Sequence, residues 1–299
     1  MISHNESRRY GMILSRKKSR SANTQEPLFH IVKKSNITLP EKMLIYAVAI
    51  IVGLVLSAVL CGIFSGHSPM EFIPSVLSGA FGTKRTTWLL FREMSWLAGI
   101  SAALVPAFKM RFWNLGGNGQ ILMSALATVA CMYYLGGKMP DGILLVIMFF
   151  AGVAAGIIWA FIPAIFRALF NTNETLFTLM MNYIASGLVS MFITIWAKGG
   201  SGKLNPIPYG NMPAIADNPY ILSIIFFTLL NLFMYVYLRY SKHGYEISVV
   251  GESFNTAKYI GIDVKKVIIR TMILSGAIAG LVGFFLASSF EHPIAVSSA

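Results

Sequence analysis

The chain has 299 residues, of which 56% are hydrophobic and only 12% charged, with a mean hydropathy of +0.66. A soluble domain carries about a quarter charged residues, so the composition excludes an ordinary water-soluble domain and makes lipid the solvent for most of the chain. The formal net charge is +12, and the two cysteines, Cys61 and Cys131, lie in apolar runs as packing residues, which excludes a disulfide scaffold.

Residues 1–42 form a basic tail with nine Lys or Arg, among them Arg8, Arg9, Arg16, Lys17, Lys18 and Arg20. It is too polar for a secretory signal, and the first apolar run, from Met43, is long enough to span. A solvated cytoplasmic arm is expected. From there the chain offers seven stretches that reach or approach the roughly 20 apolar residues of a membrane helix. They are 43–64, 94–108, 121–135, 143–166, 176–197, 220–238 and 271–290. Strand-like alternation is absent, so the expected fold is an all-α integral membrane protein, a polytopic helical bundle with about seven spans in residues 43–299. The second and third stretches are short for full spans and flank 109–119, so one or both are expected to be tilted, broken or partly re-entrant.

Alternating sides from a cytoplasmic N-terminus places 18 of the 24 Lys and Arg inside and 6 outside, the bias expected of cytoplasmic loops. The net charge then reflects topology and attraction to anionic head groups of the bilayer, and no nucleic-acid partner is expected. Two long outer segments follow, 65–88 and 198–219, which can dock an external partner or simply connect spans. Within the second, Gly199-Gly200-Ser201-Gly202-Lys203 has the wrong spacing for a phosphate-binding loop and no strand-to-helix context.

Catalytic chemistry is thin. The five histidines lie in tails or loops with no shared metal spacing, and no metalloprotease or serine-hydrolase motif is present. No catalytic, metal-binding or cofactor-binding residue is expected in this chain. Ionisable groups inside a bilayer are costly and mark relays, yet the spans hold almost none. Arg92 and Glu93 stand near the outer end of the second stretch, where both can reach the interface, and Glu174 opens the fifth.

Two polar sets stand out. Trp113-Asn114-Leu115-Gly116-Gly117-Asn118-Gly119-Gln120 cannot face lipid, because its backbone groups would go unsatisfied. Asn173 and Glu174 lead to Thr178, Asn182 and Tyr183, with Thr178 and Asn182 on one helix face. Interhelical hydrogen bonding and a place beside a translocation path are both open to Asn114, Asn118, Gln120, Thr178, Asn182 and Tyr183. A third feature is the polar, helix-prone segment from Gly251 to Lys266, set within residues 239–270 between two apolar runs. Small residues at helical spacing, Ser275, Gly276, Gly280 and Gly283, suit close packing.

Together these segments resemble the ABC importer permeases for nucleosides and simple sugars, within the wider group of ribose, nucleoside and branched-chain amino acid permeases. Asn114-Leu115-Gly116-Gly117-Asn118-Gly119-Gln120 is similar to that family's Asn-Ile-Gly-Ala-Glu-Gly-Gln. The run from Asn173 through Asn182-Tyr183 resembles its Asn-Glu-x-x-x-Thr-Leu-Met-x-Asn-Tyr. Gly244-Tyr245-Glu246, Val250-Gly251-Glu252, Ala257, Tyr259 and Gly261-Ile262, followed by Ser275-Gly276-Ala277, resemble its coupling loop and next helix. The resemblance implies a multi-pass permease subunit of the plasma (inner) membrane. It would work with an ABC ATPase subunit, a second permease subunit and an extracytoplasmic substrate-binding protein. ATP and Mg would be bound and hydrolysed on the ATPase partner, so this chain would be no enzyme. Residues 239–270 would form the coupling loop, with Gly251, Glu252, Ala257, Tyr259 and Gly261 as its contact residues; Ala257 and Gly261 would permit close approach, and Glu252 would supply a polar contact.

Two departures qualify the likeness. Asn118 stands where the family usually has an acid, and the chain stops at Ala299 where members continue with further helices, so a C-terminally incomplete permease is expected. A permease for another small polar solute such as a branched-chain amino acid, or a non-transporting scaffold, are the alternatives. Tyr183, Trp196 and Tyr209 can stack on a base, but no residue identifies the solute.

Overall fold

The computed structural model describes residues 38–66, 68–197, 204–215 and 218–288. The basic tail up to residue 37 and the glycine-rich run Gly199 to Lys203 lie outside the described residues. Ten α-helices account for most of the described chain, and an isolated bridge between Ile215 and Asn218 is its one extended pairing. The chain divides into two compact units, Met1–Ser75 and Val76–Ala299.

In the first unit, α1 (Leu39–Ser65) starts where the sequence gives it a cap. The Thr38 amide donates to Glu41 Oε2 at 3.0 Å, occupying a donor that a helix start leaves orphaned. The helix ends at Gly66, whose φ of +71° lets its amide return to the Gly62 carbonyl. Between these ends α1 is apolar on every side and only Ala58 is buried, the pattern of a helix solvated by lipid. α2 (Pro69–Phe81) follows at once and runs across the boundary at Ser75. The expected long connector 65–88 is therefore mostly helical: Pro69 and the acid Glu71 favour a helix start, and α3 begins at Lys84.

The second unit is built from α3 (Lys84–Lys109), α4 (Gly117–Leu135), α5 (Asp141–Phe170), α6 (Glu174–Trp196), α7 (Ile221–Tyr240), the short α8 (Lys242–Glu252) and α9 (Phe254–Tyr259), and α10 (Val264–Ser288). Several starts are capped by a side chain. Thr83 Oγ1 accepts from the Thr86 amide, Asn173 Oδ1 from Leu176 and Ser241 Oγ from Gly244. α5 closes at Asn171, with φ +53° and its amide on the Arg167 carbonyl.

Six helices among the described residues are long and apolar enough to cross a bilayer: α1, α3, α5, α6, α7 and α10. The third expected stretch, 121–135, lies in α4, which is helical throughout but carries Asn118, Gln120, Ser124 and Thr128 and is not among the six. The second expected stretch is not broken, and residues 110–116 form a non-helical turn between α3 and α4. α3 runs uninterrupted for 26 residues, about 39 Å at 1.5 Å per residue, because its polar first turns continue the helix that the apolar run alone understated. Arg92 also departs from expectation. Its side chain is 4% exposed, paired with Glu93 at 2.9 Å, and its guanidinium lies 4.6 Å from the Trp96 ring and 5.1 Å from the Tyr220 ring. The aromatic faces let the cation stay among helices, while Glu93, half exposed, does reach outward.

α10 is the core of this unit, with 67% of its apolar window buried, against 6% for α1. Small residues let it approach its neighbours closely. A Cβ on Gly276 would lie 2.6 Å from the Gly156 carbonyl oxygen and 2.5 Å from the Ala160 Cβ of α5. One on Gly283 would lie 2.5 Å from the Ile121 carbonyl oxygen of α4. Ser124 Oγ of α4 donates to the Gly280 carbonyl at 2.6 Å. Such contact between backbones is the membrane form of tight packing, where burial of apolar surface gives no advantage over lipid.

Because the obstructing atoms at Gly276 include backbone, a side chain there has nowhere to go. Gly276→Val is expected to destabilise the bundle by about 1–3 kcal/mol or more, read as a lower unfolding temperature of the purified chain in detergent; an unchanged value would contradict the packing described.

Candidate coupling segment and polar helix junction

The connection from α3 to α4 is where the first polar set sits. α3 ends at Lys109, Arg111 takes φ +58°, and the chain turns through Leu115 and Gly116 into α4. Asn114, buried at 1% exposure, organises the turn. Its Oδ1 accepts from the Gly116 amide at 3.0 Å and from Gln120 Nε2 at 3.4 Å, and its Nδ2 donates to Ser275 Oγ of α10 at 3.3 Å. α6 closes the other side. The Leu115 amide donates to Thr178 Oγ1 at 3.2 Å. Asn182 Nδ2 donates to the Leu115 carbonyl at 2.7 Å while its Oδ1 accepts from the Gly119 amide at 2.8 Å.

Asn182 therefore spans a turn carbonyl and an N-terminal amide of α4 that lacks an intrahelical partner. The i, i+4 pair Thr178 and Asn182 satisfies the backbone that lipid would leave unsatisfied. The glycines of the segment are there for room: Cβ atoms on Gly116, Gly117 and Gly119 would meet Thr178, Leu104 and Asn182 at 3.1, 2.9 and 2.8 Å.

Of the six residues proposed from sequence to border a path, Asn114, Gln120, Thr178 and Asn182 are thus brought together as one hydrogen-bonded junction. Asn118 and Tyr183 are exposed, and neither takes part in the junction's bonds. Two buried groups near this junction, Gln120 Oε1 and the Trp159 Nε1 hydrogen, find no partner among the described residues. Trp159 was missed from the sequence, where it is one aromatic in a long apolar run.

The 239–270 region forms two short helices and a turn. α8 packs its Gly244, Ile247, Val250 and Gly251 inward. A Cβ on Gly251 would overlap the Lys109 carbonyl oxygen, so this glycine marks a close approach to the end of α3. Lys109 Nζ reaches the Leu238 carbonyl of α7 at 3.2 Å. Ser253 Oγ caps α9 through the Thr256 amide, and the turn after it uses Gly261 at φ +82°, a conformation that disfavours any side chain. Asp263 Oδ1 accepts from the Lys266 amide at 3.2 Å at the start of α10. That backbone bond, with the Lys266 ammonium at 3.3 Å, holds its carboxyl below the ordinary Asp range.

Ala257 is fully buried and Gly251 is buried, so both pack within the chain. Glu252, Tyr259 and Gly261 are on the surface. Tyr259, 91% exposed, and Ile260 form an apolar tip beside Lys258. Behind the tip, His243 links α7 to α10. Its Nδ1 is 2.8 Å from Tyr237 Oη and its Nε2 3.3 Å from Thr271 Oγ1, with the Arg270–Glu246 pair at 3.7 Å nearby. Burial first, then the Arg270 cation, hold this imidazole below the ordinary histidine range, against a smaller opposing effect of Glu246.

Lys109, Leu115, Asn182, Leu238 and the α8–α9 segment meet at one end of the unit. At the other, Trp196 Nε1 donates to Tyr134 Oη at 3.1 Å and the Met212 amide to the Ser288 carbonyl at 3.1 Å. Among the described residues no group of three His, Cys, Asp or Glu is placed to hold a metal.

The fold is that of a polytopic all-α membrane protein with a polar junction and an exposed cap at one end, and comparison with known proteins gives its class. The chain belongs to the family described as branched-chain amino acid transport system / permease component, which matches residues 96–298. It is 30% identical over 253 residues to a guanosine ABC transporter permease protein, NupP, of Bacillus subtilis, covering 81% of this chain and 70% of the relative. It is 26% identical to a nucleoside ABC transporter permease protein, NupB, of Lactococcus lactis, with the same coverage. Similarity to a glucose ABC transporter permease protein, TsgB13, of Haloferax volcanii is 29%, over 62% of this chain and 52% of the relative. No solved structure matches the chain. It is accordingly a multi-pass membrane permease subunit of an ABC importer, part of a system with further subunits.

Two outcomes follow from the junction. Asn182→Ala leaves the Leu115 carbonyl and Gly119 amide without their partner and is expected to cost about 1–2 kcal/mol, measured as a lowered unfolding temperature. Asn118→Ala, at an exposed site, should leave that temperature unchanged. The lowered pKa of His243 means that the fold favours the neutral ring. Its contribution is present above the unfolded value of about 6.5 and is lost as pH falls through the folded one. Thermal stability should therefore decline below about pH 6.5, and His243→Gln should flatten that decline; an identical profile would contradict this account of the ring.

Proposed function

We propose that this chain is the translocating subunit of a nucleoside importer, oriented with its N-terminus and the α8–α9 segment in the cytoplasm. The segment docks on an ABC ATPase that binds and hydrolyses ATP with Mg, while a second permease subunit completes the path and an extracytoplasmic binding protein delivers solute. The observation that carries the docking is the Tyr259–Ile260 tip: large apolar side chains exposed beyond the membrane helices, on a turn held firmly from behind. Exposed aromatic side chains of this kind are typical anchors of protein interfaces. The cation bias of the loops supports the orientation, and the guanosine and nucleoside relatives support the solute class. Simple sugars are the second reading, favoured by the glucose relative.

In this account Asn118 and Tyr183 border the path, since both are exposed beside the junction while Asn114, Gln120, Thr178 and Asn182 hold it in shape. Gly251 and Ala257 position the docking segment from within, and Glu252, Tyr259 and Gly261 form its outer surface. The motion is a rigid-body shift of the segment carried into α7 and α10.

Tyr259→Ala removes an exposed side chain and is expected to leave the fold intact while reducing co-purification of the ATPase and uptake of radiolabelled guanosine at least tenfold, as loss of an interface anchor worth about 1.4 kcal/mol or more would. Retained ATPase binding and uptake would overturn the docking surface. Uptake of glucose with no uptake of guanosine or adenosine by the unaltered chain would shift the solute assignment to sugars.

A further inference from the structure

A groove of about 580 Å³ lies between α3, α7 and α8, at the same end of the unit as the α8–α9 segment. Its two ends differ in chemistry. Toward the middle of the helices it is walled by Ala102, Val105 and Met234, with Ser101 and Asn231 as its far limit, each donating to its own helix backbone. At the helix ends it is bordered by two cations, Lys109, the last residue of α3, and Arg239, in the last turn of α7. No acidic residue lines it.

Both cations are exposed yet held in place. Lys109 Nζ donates to the Leu238 carbonyl at 3.2 Å, and Arg239 Nη1 donates to Tyr235 Oη at 2.6 Å with its guanidinium 5.8 Å from the Tyr235 ring. Each retains further N–H donors, since an ammonium has three and a guanidinium five.

The surroundings of the groove are apolar and face outward. Leu97 and Phe108 on α3, and Leu232, Phe233 and Val236 on α7, are all exposed on helices long enough to span. The groove therefore opens sideways between two membrane helices whose outer faces are apolar. From Ser101 to Lys109 the rise along α3 is about 12 Å, so a ligand that fills it has an anionic head at the interface and an apolar chain running inward. A soluble anion matches only the first half of that description.

We propose that this groove is a binding site for one anionic phospholipid of the surrounding bilayer. Its phosphate lies between Lys109 and Arg239, and an acyl chain lies along Val105 and Met234. Basic pockets between membrane helices suit such head groups, and the two cations sit at helix C-termini, where their charge is already favoured. Because α8 forms one wall through Gly244, Tyr245 and Ser248, the bound lipid joins α3 and α7 to the first helix of the α8–α9 segment. The proposal concerns the lipid alone and stands whichever solute is carried.

The test is lipid retention by the full chain, isolated from membranes with its co-purifying subunits and exchanged into nanodiscs of equal dioleoyl phosphatidylglycerol and phosphatidylcholine. Native mass spectrometry after release is expected to show one phosphatidylglycerol retained in excess. Lys109→Gln with Arg239→Gln should reduce that excess roughly tenfold or more, whereas Lys265→Gln with Lys266→Gln, outside the groove, should not. Since Lys109 also braces α7, Ser101→Phe serves as a second variant. It fills the apolar end without altering charge and should lower retention while the unfolding temperature holds. Equal retention of the two lipids, retention unaffected by either groove variant, or a groove covered by another subunit so that no lipid is retained would each overturn the proposal.

Discussion

The second unit depends on the approach of α5 and α10 at Gly156, Gly276 and Gly280. In lipid, helices gain nothing by hiding leucines from the solvent, so association rests on how closely backbones can meet and on the polar groups they satisfy. At Gly156 a Cβ would lie 2.5 Å from the Gly276 carbonyl oxygen and 2.7 Å from the Gly280 Cα. The same stretch of α10 accepts the Ser124 hydroxyl of α4 and presents Ser275 to Asn114. One helix thus fixes both its neighbours and the polar turn between α3 and α4.

That arrangement gives the α8–α9 segment something to act on. α10 begins at Val264, directly after the turn that carries Tyr259, and continues without interruption to the packed core. On its other side the segment bears on the end of α3 through Gly251 and on α7 through His243 and the caps around Ser241. A force applied at the exposed tip reaches three membrane helices through direct contacts. Rigid elements that have few places to yield shift as bodies. For the docking role proposed above, this is the mechanical property required.

Much of this was legible from residues alone, and the reasons differ by feature. Hydropathy located the membrane helices because lipid sets a long, uniform apolar length. The need to satisfy backbone groups marked Trp113 to Gln120 as unable to lie against lipid. The spacing of Thr178 and Asn182 placed them on one face, and the structure supplies the turn they serve. Sequence was weaker where polar residues extend an apolar helix: the first turns of α3, and α2, read as connector. It also placed Arg92 at the interface, because the aromatic faces of Trp96 and Tyr220 that accommodate it come from distant positions. Ala257 and Gly251 were read as surfaces for a partner, yet small residues serve internal contact equally well, and only burial separates the two uses. Tyr259 is exposed at the end of α9, where its motif placed a contact residue.

The central claim is that the α8–α9 segment and the bundle move as one body. Double electron–electron resonance tests it most directly, with spin labels at positions 258 and 138, on the segment and at the opposite end of the unit, in the assembled transporter after removal of reactive native cysteines. The account predicts that the distance between these labels stays within about 2 Å between nucleotide-free and ATP-trapped states, while distances to the second permease subunit change. A large change between 258 and 138 themselves, with the segment swinging independently of its helices, would contradict it.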